Sequence, residues 1–134
     1  MSLYKKFKTS ETHEQDGIWL DYGESGAIKI ARAGGANVRY VKRIEKLQKK
    51  YKRQIQLDIM DDADNVKIMR EAYADTVVLD WKGVTNEDDE PMEFNKQNCI
   101  KLFTDLPDLF LDVVTQATNV ALFKEHLDEE TAKN

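Results

Sequence analysis

Val77-Val78-Leu79-Asp80-Trp81-Lys82-Gly83-Val84 is the stretch on which the reading of this chain turns. From upstream into this stretch, Val66, Met69, Tyr73, Val77 and Trp81 recur at helical spacing, and Ile68, Ala72, Val78 and Leu79 widen the stripe. That periodicity predicts a core helix from about Ala63 to Lys82, with Trp81 in the core. Gly83 supplies a left-handed stop. Asp58, Asp61, Asp62 and Asp64 cluster at the start of the helix and suit its positive end. A calcium loop needs a central glycine, and none lies between Asp58 and Lys82.

Beyond Gly83 the chain enters an acidic surface loop, Asn86-Glu87-Asp88-Asp89-Glu90. Pro91 holds the residue before it extended, and Met92 and Phe94 are the apolar anchors that follow. Asn95 caps a helix over 96–104, with Cys99, Ile100 and Phe103 inward. Leu106-Pro107-Asp108-Leu109 starts another, expected to run to His126, since proline is tolerated in a first helical turn.

Working back toward the start, Ile18, Leu20, Ile28 and Ile30 alternate with other residues on either side of Gly23–Gly26. Period-two alternation about a glycine-flanked turn reads as a β-hairpin. A lone hairpin is marginal in water, so it must pack on helices or pair with another strand. Asn37 is a candidate N-cap for a helix over 37–53, with Val38, Val41, Ile44, Leu47 and Tyr51 as its stripe. Its other face is basic: Arg39, Lys42, Arg43, Lys46, Lys49, Lys50, Lys52 and Arg53 oppose only Glu45. Ile55, Leu57 and Ile59 alternate and suggest a short strand or an extended connection. Residues 1–16 are polar and aperiodic, which reads as a mobile arm, and 127–134 as a flexible tail. The expected class is mainly α (α+β): about four helices with an N-terminal hairpin, one domain over 17–126.

The totals narrow the function. A 134-residue chain is one ordinary domain. A net charge of −5 argues against a nucleic-acid binder by composition. The single cysteine, Cys99, excludes a disulfide framework within the chain and suits a reducing compartment. No apolar run approaches the roughly 20 residues of a membrane span, and the opening Met1–Lys6 leads into no signal-peptide core. His13 and His126 lack neighbours at catalytic or metal-ligand spacing. Cys99 beside Ile100 and Phe103 reads as a buried, inert thiol. No enzyme, cofactor or metal is expected.

The order of segments from the Trp81 junction onward resembles the tail assembly chaperones of long-tailed bacteriophages. The resemblance rests on Val78–Val84, the acidic Asn86–Glu90, Pro91-Met92-Glu93-Phe94, Leu102-Phe103, Leu106-Pro107-Asp108-Leu109 and Phe123, and covers about residues 70–130. Trp81, Gly83, Pro91, Phe94, Leu106 and Pro107 form its signature, as structural residues. One departure is visible: the family often has a glycine in the loop before Pro91, where this chain has Asp88-Asp89-Glu90. The resemblance implies a non-enzymatic morphogenetic protein of the host cytoplasm, absent from the mature virion. Such a protein would keep the tape measure protein soluble, help recruit the major tail protein and self-associate, without binding nucleic acid or membrane. Its partner contacts are then expected at Arg39, Lys42, Lys46, Lys49, Lys50, Leu109 and Phe110. Two other readings stay open: a small nucleic-acid-binding regulator using the basic helix 37–53, and a head–tail structural adaptor that remains in the virion.

Overall fold

A computed structural model describes residues 2–124. Three antiparallel strands, β1 (Ile18–Asp21), β2 (Ala27–Ile30) and β3 (Val78–Lys82), form a sheet in the order β1-β2-β3. The hairpin pairs as its alternation requires, Ile18 opposite Ile30 and Leu20 opposite Ile28. Ile28 and Ile30 are buried in the core. The third strand that stabilises the hairpin comes from the same chain.

That strand corrects the reading of residues 77–82 as the end of a helix. The helix α5 (Asp62–Thr76) stops six residues earlier, and the chain turns at Val77 into β3. Valines and an aromatic residue suit a pleated, half-buried surface better than a helix interior. The helical appearance has a definite cause. Ile30 pairs with Val78 and Lys29 with Asp80, so Leu79 is an extra residue in the ladder, a β-bulge. The bulge resets the alternation and lets Val78 and Trp81, three apart, both bury on the core side. A spacing of three is also the spacing of a helical face. Gly83, at φ 70°, takes the left-handed conformation expected of it, but it ends a strand rather than a helix.

On the sheet lie α5, α6 (Lys96–Asp105) and α7 (Pro107–Ala117). Asp61 caps α5 by accepting from the Ala63 N–H, and Asn95 caps α6 by accepting from Asn98. Ile68, Ala72, Tyr73 and Ala74 are the buried apolar residues of α5; Val66, expected in the stripe, is 40 % exposed at its start. The core joins Tyr73, Val77, Val78, Trp81, Cys99, Phe103, Val113 and Ala117 to the two hairpin isoleucines. Tyr73 meets Tyr40 and Phe110 edge-on at 5.6 and 5.4 Å. The last helix ends at Ala117 rather than His126. Asn119 turns extended and its side chain caps Ala121, starting a 3-10 turn over Val120–Phe123. His126 and the 127–134 tail lie outside the described residues.

The basic helix is α3 (Val38–Gln48), prolonged by a 3-10 turn at Lys49–Tyr51 and by α4 (Lys52–Gln56). It lies along α5. None of its residues is fully buried, and Val38 and Val41, expected inward, are 56 and 43 % exposed. Ile55, Leu57 and Ile59 form no strand. Ile55 belongs to α4, and the chain turns at Asp58, a non-glycine residue at φ 55°.

The segment expected as an arm holds two short helices, α1 (Leu3–Phe7) and α2 (Glu11–Asp16). Ser10 caps α2, and its own N–H donates to the Phe123 carbonyl at 2.6 Å. Glu14 is 2 % exposed. Its carboxylate accepts from the Thr9 hydroxyl, from Ala36 N–H at 2.7 Å and from Arg32 at 3.2 Å. Residues 9–16 are therefore docked on the domain.

Candidate partner-binding surfaces

Cys99 is fully buried, and burial pushes its thiol up to about 12. Among the described residues, no three His, Cys, Asp or Glu side chains gather as a metal site. No described helix is long and apolar enough to cross a membrane. Three surface regions are open to a partner.

The first is the basic face of α3. Two of its arginines are engaged within the chain. Arg43 bridges Asp75 at 2.6 Å and Glu71 at 3.3 Å, both on α5. Arg39 donates to the Asp75 carbonyl at 3.1 Å, near the negative end of α5. Lys96 on α6 reaches the same two carboxylates. This network fastens α3 and α6 to α5. Lys42, Lys46, Lys49 and Lys50 are exposed. Asn37, expected as the cap of α3, instead donates through its amide to the carbonyls of Arg32 and Thr76 and is buried.

The second region is the end of that helix. Lys49, Lys50, Lys52 and Arg53 line a shallow recess of about 550 Å³ with Gln56 and Leu57. Ile55, Leu57 and Ile59 beside it are 42, 56 and 66 % exposed. Three large aliphatic side chains within five residues of a charged hook are an unusual use of surface. The sequence carried a signal of this. Residues spaced by two cannot share one helical face.

The third region joins the junction loop to α6. Asn86 organises the loop: its carboxamide accepts from Asp88 N–H and Glu90 N–H at 2.9 and 3.0 Å. Thr85 bridges Pro91 across it. Asp89 stands at φ 60°, so an aspartate adopts the left-handed conformation that a glycine would otherwise supply. The departure from the chaperone pattern therefore leaves a tight turn. Beside the loop is a groove of about 500 Å³. Met92, Leu102 and Leu106 give it apolar surface, and Glu87, Asp88 and Asp105 make it acidic. Lys101, also in its lining, is held by Asp105 at 2.6 Å.

Of the residues expected to contact partners, Leu109 and Phe110 are packed against the core, Phe110 with its ring 5.0 Å from that of Phe103. α7 instead exposes Leu111, and Leu106 just before it is also open. Of the signature residues, Trp81 and Phe94 meet at one joint. Trp81 is 7 % exposed and donates its indole N–H to the Met92 carbonyl at 2.8 Å. Its ring meets Phe94 edge-on at 5.1 Å. The joint thus ties β3 to the segment leading into α6. Sequence reasoning missed the Glu14 clamp and the groove. A serine cap four residues before Glu14 was the visible trace of the former; the latter exists only once α6 and the loop are side by side.

Neither the curated proteins nor the solved structures contain a match to this chain. A family model described as YdaY prophage protein matches residues 35–134, about three-quarters of the 134 residues. The match begins just before α3 and includes the hook, the Trp81 joint and the groove, leaving β1, β2 and the Glu14 segment outside it. The chain belongs to the YdaY prophage protein family.

Proposed function

We propose that this prophage protein is a tail assembly chaperone, which binds the tape measure protein, keeps it soluble during tail growth and leaves before the tail is complete. The observation that carries the reading is the order of segments from Val78 to Phe123, which resembles those chaperones and lies wholly inside the residues matched by the prophage family. The surface is suited to such work. A tape measure exposes long apolar helical stripes, and a protein that covers them reversibly needs open apolar side chains on a charged exterior. Val38 and Val41 on α3, and Ile55, Leu57 and Ile59 beyond it, are such side chains. In this reading the protein acts in the host cytoplasm, self-associates along its cargo and helps bring up major tail protein subunits. Co-expression with the tape measure protein of the same prophage tests it. The cargo becomes soluble and copurifies if the reading holds; cargo that stays insoluble refutes it. Mass spectrometry of finished particles separates the chaperone, which is absent, from a head–tail adaptor, which stays.

One observation favours a second reading, a nucleic-acid-binding regulator. Lys49, Lys50, Lys52 and Arg53 cluster with no ion pair among the described residues. Retention of duplex DNA at low salt that falls steeply as salt rises would support it.

A further inference from the structure

We propose that the hook at the end of α3 docks into the acidic groove of a second copy of this chain, giving a head-to-tail contact. The inference deepens the self-association in the chaperone reading and rests on that reading only for its purpose. The contact itself is argued from the two surfaces.

The hook has two kinds of side chain. Its recess is ringed by cations with no ion pair among the described residues, Lys50 and Arg53 among them. Immediately beyond, Ile55, Leu57 and Ile59 are open to solvent. The left-handed turn at Asp58 separates Leu57 from Ile59 and lets both project from a short loop. A polyanion site would need the cations alone. Cations alongside exposed aliphatics are the composition of a surface meeting an apolar patch with acidic surroundings.

The groove is that patch. Met92, Leu102 and Leu106 supply its apolar surface, and Leu106 is 48 % exposed. Glu87 and Asp88 stand on a loop that Asn86 holds in shape, so the acidic side needs little ordering on contact. The lysine in the lining is held by Asp105 at 2.6 Å and feels the Glu87 charge only as a minor influence, so the loop carboxylates keep an excess of negative charge toward an incoming cation. Apolar surface and opposite charge therefore recur together at two separate places in the chain, α3–α4 and the α6 side of the junction. A surface that fits a different surface of the same molecule makes a heterologous contact, which closes into a ring or continues as a filament. A filament or ring is the form suited to coating a long helical cargo.

Two charge-reversal pairs on exposed residues test it: Lys50→Glu with Arg53→Glu in the hook, and Glu87→Lys with Asp88→Lys in the groove. Circular dichroism first establishes that each double variant folds. Sedimentation velocity at low salt should show wild-type oligomers that shrink at about 0.5 M salt, where the screening length falls to a few ångströms. Each variant alone should associate at least about tenfold more weakly. A mixture of the two variants should recover wild-type-like oligomers, since the unreversed hook of one meets the unreversed groove of the other and the reversed, acidic hook meets the reversed, basic groove, so opposite charges face one another in both pairings. Monomeric wild type at high concentration overturns the proposal, as do oligomers unaffected by either variant, or a mixture that stays monomeric. Loss of duplex DNA binding in the hook variant, with oligomers unchanged, assigns the cations to nucleic acid and also overturns it. Cargo solubilisation is scored separately by co-expression: solubilised cargo with a monomeric protein leaves the chaperone reading intact and refutes this contact.

Discussion

The Glu14 carboxylate lies 3.2 Å from the Arg32 guanidinium and 2.7 Å from the Ala36 amide, binding α2 to the loop that leads into α3. Burial alone would raise the pKa of Glu14. The Thr9 hydroxyl, the Ala36 N–H and the Arg32 charge outweigh it and hold the carboxyl below its ordinary 4.5. The folded value is thus lower than the unfolded one. The stabilisation is full above about pH 4.5 and is lost as pH falls through the lower folded value. Glu14→Gln is expected to cost about 2–3 kcal/mol at pH 7, somewhat below the ~3–5 of a fully buried pair because Arg32 can rehydrate. Urea unfolding of both proteins at neutral and at strongly acidic pH checks this: the gap between them should narrow in acid.

Gly35→Ala addresses the same clamp from the other side. Gly35 stands at φ 53°, and a Cβ there would fall on the Glu14 carboxylate and within 2.8 Å of the Arg32 guanidinium. The substitution should displace Glu14 and cost at least as much as Glu14→Gln. A melting temperature equal to wild type would show that the clamp is not formed as described.

Trp81→Ala removes the ring that joins β3 to the Phe94 segment and should destabilise by about 3–5 kcal/mol. Trp81→Phe keeps most of the apolar surface but leaves the Met92 carbonyl without its indole donor, at a cost of about 1–3 kcal/mol. Thermal melts in parallel with a cargo pull-down separate the alternatives. If Trp81→Ala melted like wild type yet lost the cargo, the ring would belong to a binding surface.

Tyr22, in the hairpin turn, donates its hydroxyl to Asp112 on α7 at 2.6 Å. Burial, then the hydrogen bond and the Asp112 charge, raise its pKa above the ordinary 10.0. A raised folded value means that this contribution is complete below about pH 10 and is lost as pH climbs toward the folded value. Tyr22→Phe should cost about 1.5 kcal/mol at neutral pH and give a weaker loss of stability in alkali than wild type shows. Denaturant midpoints from pH 8 to strong alkali, for both proteins, provide the measurement.

The parts of the fold that were legible in sequence are those set by local chemistry. The caps at Asp61 and Asn95, the hairpin alternation of Ile18, Leu20, Ile28 and Ile30, and the proline start of α7 depend on a few adjacent residues, and all appear in place. The failures are places where a distant partner decides. Val77–Lys82 is a strand because β2 lies beside it, and its bulge at Leu79 gives it a helical spacing. Glu14 is ordered because Arg32 and Ala36 arrive from another segment. Asn37 had the residue type of a cap but found two carbonyls, one of them on α5, to donate to instead. Periodicity places Phe110 on the apolar side of its helix, but only the packing of α5 and α6 supplies the Tyr73 and Phe103 rings that meet it. The candidate site fared similarly. The basic run was plain, but only the packing of α3 on α5 distinguishes Arg43, consumed by Glu71 and Asp75, from the lysines left in solvent.

The single cysteine gives the molecule a clock. Cys99 has no exposed surface and a thiol pushed up to about 12, so no reagent can reach or activate it while α6 is seated. Alkylation must wait for the core to open, and its rate counts those openings. The same thiol, read with and without a bound partner, would report in hours of labelling how far that partner holds the domain shut.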